Sequence, residues 1–260
     1  MVDADGGRSP AQLAALPPTR GWALSLCEAA GEAGGSFRAT RPPSRAGVVF
    51  GPAEDPARSA AEAARRARGK VRRYCAANRL NRLGTLTYRG AGCHEIDQLV
   101  RDVGVFFRRL RRETGGQAFA YVWVPEWHKS GHGLHVHFAV GRFIDRSLIE
   151  RAWGHGFVHI KLLGDLPVGS GALGEARAAA GYLSKYVGKA FADDRVPGRN
   201  RYDVAQGFQP SIVPVWGASR AEAIRAASER MGNRQPSYVW LSDSASDWQG
   251  PPAVWVQWPG

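Results

Sequence analysis

Two short stretches hold side chains whose types and spacing can do chemistry. The first runs from His128 to His137 (HKSGHGLHVH) and contains four of the chain's seven histidines. In a β-strand successive side chains alternate faces, so His135 and His137 point the same way, their Cα atoms roughly 6.5–7 Å apart, close enough for two imidazoles to converge on one cation. Leu134, Val136 and Phe138 then anchor the opposite face in a core. Glu126, at the end of the preceding strand, is the candidate third ligand; it shares the histidine face only if the hairpin register pairs even with odd positions. One carboxylate and two imidazoles with open positions suit Mg²⁺ or Mn²⁺ acting on a phosphate. Zinc accepts the same donors in metalloproteases, but those carry their histidines on a helix as HExxH, which is absent. The alternative is a chance pair of surface histidines, and the clustering beside Glu126 favours a metal site. His128 and His132 read as turn residues, with His132 the reserve ligand.

The second stretch is YLSKYVGK, residues 182–189. At helical spacing Tyr182, Lys185, Tyr186 and Lys189 share one face, while Ala179, Leu183, Val187 and Ala190 form the apolar stripe opposite. A core helix needs one stripe only, and two of the chain's five lysines sit in the polar one, against thirty arginines elsewhere. A compact ammonium is therefore wanted at this place. A tyrosine hydroxyl can attack a phosphodiester and become covalently attached to DNA. Its unperturbed pKa is about 10, so it needs activation. A neighbouring metal supplies a Lewis acid, and Lys185 or Lys189 can stabilise phenolate or phosphate charge. The alternative is a packing role for the tyrosines and solvation for the lysines.

The elements that must position these groups follow from periodicity. An Ala/Arg helix over residues 55–79 opens on an Asp55-Pro56 cap and reads by default as an exposed, solvated helix. Residues 83–88 alternate as a strand, and 94–112 form a helix with Ile96, Leu99, Val103, Phe106 and Leu110 on one stripe. Strands over 119–126 and 134–140 flank the histidine turn. Asp145 caps a short helix, 156–163 is a fourth strand, and 172–190 is the tyrosine helix. Further on, 219–231 reads as a helix and 237–241 as a short strand, while 1–52 carries no motif. The order β-α-β-β-α-β predicts an α+β fold, a ferredoxin-like or RRM-like split βαβ. Its central antiparallel sheet carries helices on one face, and the tyrosine helix faces the histidine strand.

Composition bounds the partners. With 44% hydrophobic and 22% charged residues, the chain is of ordinary globular composition. No apolar run approaches the roughly 20 residues of a membrane span, and the acidic N-terminus is unlike a secretory signal. Cys27, Cys75 and Cys93 lack CxxC spacing and read as reduced cytoplasmic thiols. A net charge of +12 favours a polyanionic partner.

Together the two stretches resemble the HUH endonuclease superfamily and, more narrowly, the rolling-circle replication initiators of plasmids and phages. His135-Val136-His137 matches the His-hydrophobic-His motif, and Tyr182 and Tyr186 match the paired-tyrosine helix. Lys185 to Lys189 resembles the plasmid KYxxK form, and residues 83–87 (LGTLT) resemble the family's first, structural motif. The turn between Glu126 and the histidine pair is slightly longer than in the family. The resemblance covers about residues 80–210. It implies a nickase domain there, between an N-terminal flank (1–79) and a C-terminal extension (211–260). It further implies metal held by His135, His137 and Glu126, with Mg²⁺ or Mn²⁺ as cofactor. Tyr186 would be the primary nucleophile, and Tyr182 a second nucleophile or a support. The implied reaction is site-specific nicking and rejoining of single-stranded or extruded origin DNA through a 5′-phosphotyrosyl link. With no GxxxxGK[ST] phosphate loop in the chain, helicase and polymerase would come from the host. Arg195, Arg199 and Arg201, with Tyr202 and Phe208 interleaved, are candidates to track and stack on the single strand. A transposase or relaxase with the same chemistry, or a non-catalytic origin-binding protein, is the alternative. DNA affinity should fall steeply as salt is raised, because phosphate contacts release counterions; a flat response in a salt titration would argue against a broad phosphate interface.

Overall fold

The alternating runs of the sequence become strands and its 3.6-residue stripes become helices. The computed structural model describes residues 20–39, 55–161, 171–192, 202–246 and 248–260. In chain order these hold β1 (Gly21–Cys27), β2 (Glu32–Arg38), α1 (Pro56–Ala77), β3 (Arg82–Tyr88), α2 (Ile96–Glu113), β4 (Tyr121–Trp127), β5 (Leu134–Val140) and α3 (Arg146–Trp153). There follow β6 (Gly156–Lys161), α4 (Gly171–Ala192), β7 (Asp203–Val204), β8 (Val213–Gly217), α5 (Arg220–Arg230), β9 (Tyr238–Leu241) and β10 (Ala253–Gln257). None of the helices among the described residues is long and apolar enough to cross a membrane. The chain divides into two compact units, residues 50–211 with 260, and residues 1–49 with 212–259.

The unit spanning residues 50–211 is built on a sheet ordered β6-β3-β5-β4-β7, in which every neighbouring pair is antiparallel. The β3-α2-β4 crossover leaves room for β5, and the β5-α3-β6 crossover leaves room for β3. These are two interleaved split βαβ units, as the element order predicts. Local signals start the helices. Asp55 accepts from the Arg58 amide at 2.9 Å ahead of Pro56, Asp145 accepts from the Ser147 amide at 2.8 Å, and α3 ends at left-handed Gly154.

One sheet face packs on α2 and α3. Leu86, Val136 and Phe138 meet Leu99, Val103, Phe106 and Leu110 of α2 and Ile149 and Trp153 of α3, each such burial contributing about 1.5–3 kcal/mol. The other face differs from the expectation of an open surface, because α1 and α4 cover part of it. Leu83, Val122, Val124 and Ala139 pack there on Ala67, Val71, Tyr74 and Cys75 of α1 and on Ala179, Ala180, Leu183 and Val187 of α4. Thus α1 is not a solvated helix throughout. Its arginines mask a stripe at i, i+4, i+7 and i+8, the spacing of a buried helix face. As expected, α4 brings the tyrosines over the histidine strand.

The other unit, taken by itself, is a sheet ordered β8-β1-β2-β10-β9, so strands from the two ends of the chain pair side by side. Ala223, Ala227 and Met231, from α5 and its C-cap, close a core with Trp22, Leu24, Leu26, Val254, Val256 and Trp258.

At the centre of the first sheet Gly84 lies beneath the ring of Phe138, and a Cβ added there would stand 2.4 Å from two ring carbons. Phe138 is 1% exposed and has nowhere to retreat. Gly84→Ala should therefore lower stability by about 1–3 kcal/mol, measured as a shift of the denaturant midpoint at unchanged slope.

Candidate metal and tyrosine site

Register decides which side chains meet. Glu126 stands opposite His135, and Val124 opposite His137, across the β4–β5 hairpin, so the even-with-odd pairing that Glu126 requires is present. All three side chains emerge on the α1/α4 face. The Glu126 Oε2 lies 2.9 Å from His135 Nε2 and 2.8 Å from His137 Nε2, and the two Nε2 atoms are 3.0 Å apart. Three donor atoms thus form a nearly equilateral triangle. Among the described residues this is the one group of three or more His, Cys, Asp or Glu side chains able to hold a metal ion.

The surroundings prepare these groups as ligands. His137 Nδ1 sits 3.1 Å from Thr85 Oγ1 on the neighbouring strand; with Nδ1–H donating to that hydroxyl, Nε2 presents its lone pair to the centre of the triangle. His135 is nearly buried, and desolvation, reinforced by the charge of His137, holds its pKa below the ordinary imidazole value against the pull of Glu126. A neutral imidazole is the state that ligates. Burial works against ionisation of Glu126, but hydrogen bonds from His137, Lys189 and His135 outweigh it and hold the carboxyl at about 2.

From α4, the Tyr186 ring stacks on the His137 imidazole, with centroids 3.5 Å apart and planes 22° from parallel. The Tyr186 hydroxyl donates to that of Tyr182 at 2.7 Å. Burial, and then this bond, push the Tyr186 phenol above its ordinary pKa, so the hydroxyl ionises only with help. Lys189 Nζ lies 2.6 Å from Glu126 Oε1 and 4.9 Å from the Tyr186 ring centroid, so one ammonium touches both halves of the site.

Of the residues singled out in the sequence, Glu126, His135, His137, Tyr182, Tyr186 and Lys189 come together. Lys185 projects into solvent with no hydrogen bond or ion pair among the described residues. Tyr202 and Phe208 are half-buried against the α1/α4 core, while Arg195, Arg199 and Arg201 lie outside the described residues. His132 is no reserve ligand: its Nε2 bonds the Tyr88 carbonyl at 3.0 Å, and His128 is taken up by Ser130 within the turn. Two neighbours escaped notice. Thr85 could have been found as the cross-strand partner of His137 within LGTLT. Lys161, whose Nζ lies 4.8 Å over the Tyr182 ring, gave no sequence signal beyond being one of few lysines.

Calorimetric titration with Mn²⁺ should show one site per chain, weakened at least about tenfold in His135→Ala and in His137→Ala. Unchanged binding in both variants would place the ion elsewhere.

Compared with known proteins, the chain matches no curated protein and no solved structure. A protein-family model does match it. Residues 81–191, the stretch from the start of β3 through the tyrosines of α4 that holds all three ligand side chains, match the family of replication-associated protein ORF2, in keeping with a rolling-circle Rep protein.

Proposed function

We propose that this chain starts rolling-circle replication by cutting one strand of its origin with Tyr186 and remaining attached to the 5′ end. The observation that carries this reading is the stacking of Tyr186 on His137, which sets a phenol against the Glu126–His135–His137 triangle. The family match supports the replication setting. The triangle's edges of 2.8–3.0 Å suit neighbouring ligands of an octahedral ion, about 3.0 Å apart for bonds of about 2.1 Å. Four-coordinate zinc would hold such atoms about 3.3 Å apart. That favours Mg²⁺ or Mn²⁺, which would polarise the scissile phosphate as a Lewis acid.

The chain's own residues do the rest. The Tyr186 oxygen bonds to phosphorus as the P–O3′ bond breaks, and the phenolic proton ends on the departing 3′-oxygen. A 5′-phosphotyrosyl link and a free 3′-hydroxyl result, the latter able to prime a host polymerase. Tyr182 accepts the Tyr186 hydrogen bond and so orients the hydroxyl. Lys189 stabilises negative charge at the phenol or phosphate. Attack by a 3′-hydroxyl on the link rejoins the strand, and since one ester replaces another, no nucleotide is consumed.

The test uses supercoiled plasmid carrying the cognate origin, with Mg²⁺ or Mn²⁺. Relaxation should accompany a covalent protein–DNA adduct, and Tyr186→Phe should abolish the adduct while Lys185→Ala leaves it. Origin binding without a nick, or an adduct surviving in Tyr186→Phe, would refute the assignment.

A further inference from the structure

A cavity of about 340 Å³ opens at the end of the sheet where β3 begins and β5 and β6 finish, bounded by α3 and α4. None of the metal ligands lines it. Its floor is apolar, formed by Phe138, Ile144, Ile149 and Ile160, and Phe143 stands at its mouth 75% exposed. The rim carries Arg82 and Lys161 together with one carboxylate, Glu175. This carboxylate is held in place, since Asn81 Nδ2 donates to its Oε2 at 2.5 Å. Its Oε1 has no partner among the described residues.

Few ligands answer to a flat apolar slot, an unattached aromatic ring at the mouth, cations at the rim and one fixed acceptor. A nucleobase with its phosphate does. The ring stacks against apolar and aromatic side chains, and Arg82 and Lys161 meet the phosphate. The carboxylate selects among the bases. Guanine alone presents two adjacent donors, N1–H and the 2-amino group, on its pairing edge. Adenine, cytosine and thymine each set an acceptor beside the donor, which a fixed carboxylate repels.

The cavity also lies within reach of the cutting site. Lys161 belongs to its rim and sits over the Tyr182 ring, while Tyr182 is bonded to Tyr186. Along β3, Arg82 is three residues from Thr85, the partner of His137, a span of about 10 Å. A strand whose phosphate rests at the triangle can therefore place a near neighbour in the cavity. We infer that this cavity binds one unpaired guanine of the same DNA strand, close to the nick, and so contributes sequence selection to the site. The inference rests on the replication reading above.

The experiment measures fluorescence anisotropy of labelled oligothymidylate in chelator, with a single guanine, adenine or inosine at its centre. The guanine strand should bind about tenfold tighter than plain oligothymidylate, the worth of one bidentate base contact. Inosine, lacking the 2-amino group, should fall between. Glu175→Gln should abolish the preference and keep the affinity for oligothymidylate. Phe143→Ala, at an exposed position that cannot harm folding, should weaken the guanine strand more than the plain one. Equal binding of all strands by the unaltered protein, or a preference that survives Glu175→Gln, would overturn the guanine site alone. Failure to bind any single strand would overturn the replication reading with it.

Discussion

The site depends on the register of one hairpin. Because side chains alternate along a strand, the pairing of Glu126 with His135 puts a carboxylate and two imidazoles on the same face of the sheet. A slip of one residue would turn both imidazoles into the packed core beneath α2 and α3. It would also turn Val136 and Phe138 out towards α4. The hydrophobic pattern that fixes this register is therefore the same pattern that assembles the ligands. Their arrangement follows from the core rather than from attraction between the groups themselves.

The second half of the site depends on small residues. Ala179 and Ala180 of α4 are completely buried against the sheet and α1. A helix surfaced with alanine can approach its neighbours closely, and that approach lets the Tyr186 ring lie flat on His137. The charges are balanced for the task. Near-neutral imidazoles surround one strongly acidic carboxyl, and Lys189 satisfies it in the structure described. A divalent ion and a DNA phosphate bring charges of opposite sign, so both can enter together without leaving a buried charge unpaired.

Much of this was legible in the sequence because it is local. The β5 strand, the Asp145 and Ser219 caps and the stripe of α2 follow from short-range periodicity and turn chemistry. The strands β1, β2, β8 and β10 left little trace. β2 is the stretch EAGGSFR, poor in the β-branched residues that mark strands, and its partners β1 and β10 lie one beside it and one more than two hundred residues away. Nonlocal pairing has no sequence period to read. The α1 stripe was hidden by arginine content, which signals solvation only when the apolar positions between are ignored. The choice between Lys185 and Lys189 needed the tilt of α4 over the sheet. Spacing puts both lysines beside the tyrosines, and only packing tells which one turns inward.

The long turn between Glu126 and His135 raises the question of how so many residues leave the ligands in place. The answer lies in its contacts with the loop after β3. Leu134 N donates to the Cys93 carbonyl at 2.7 Å, and the His132 ring bonds the Tyr88 carbonyl. Gly133, with φ of +90°, passes so close to Cys93 that a Cβ would come within 2.3 Å of its carbonyl oxygen, which makes glycine obligatory there. Tyr88 is itself fixed, its hydroxyl donating to buried Asp102 of α2 at 2.8 Å. The β3 end is thus pinned to a core helix, and the histidine turn is pinned to the β3 end. A turn braced on a rigid element can exceed the shortest hairpin length without loosening the strand it feeds. The extra length is absorbed in the turn, and His135 and His137 keep their places opposite Thr87 and Thr85.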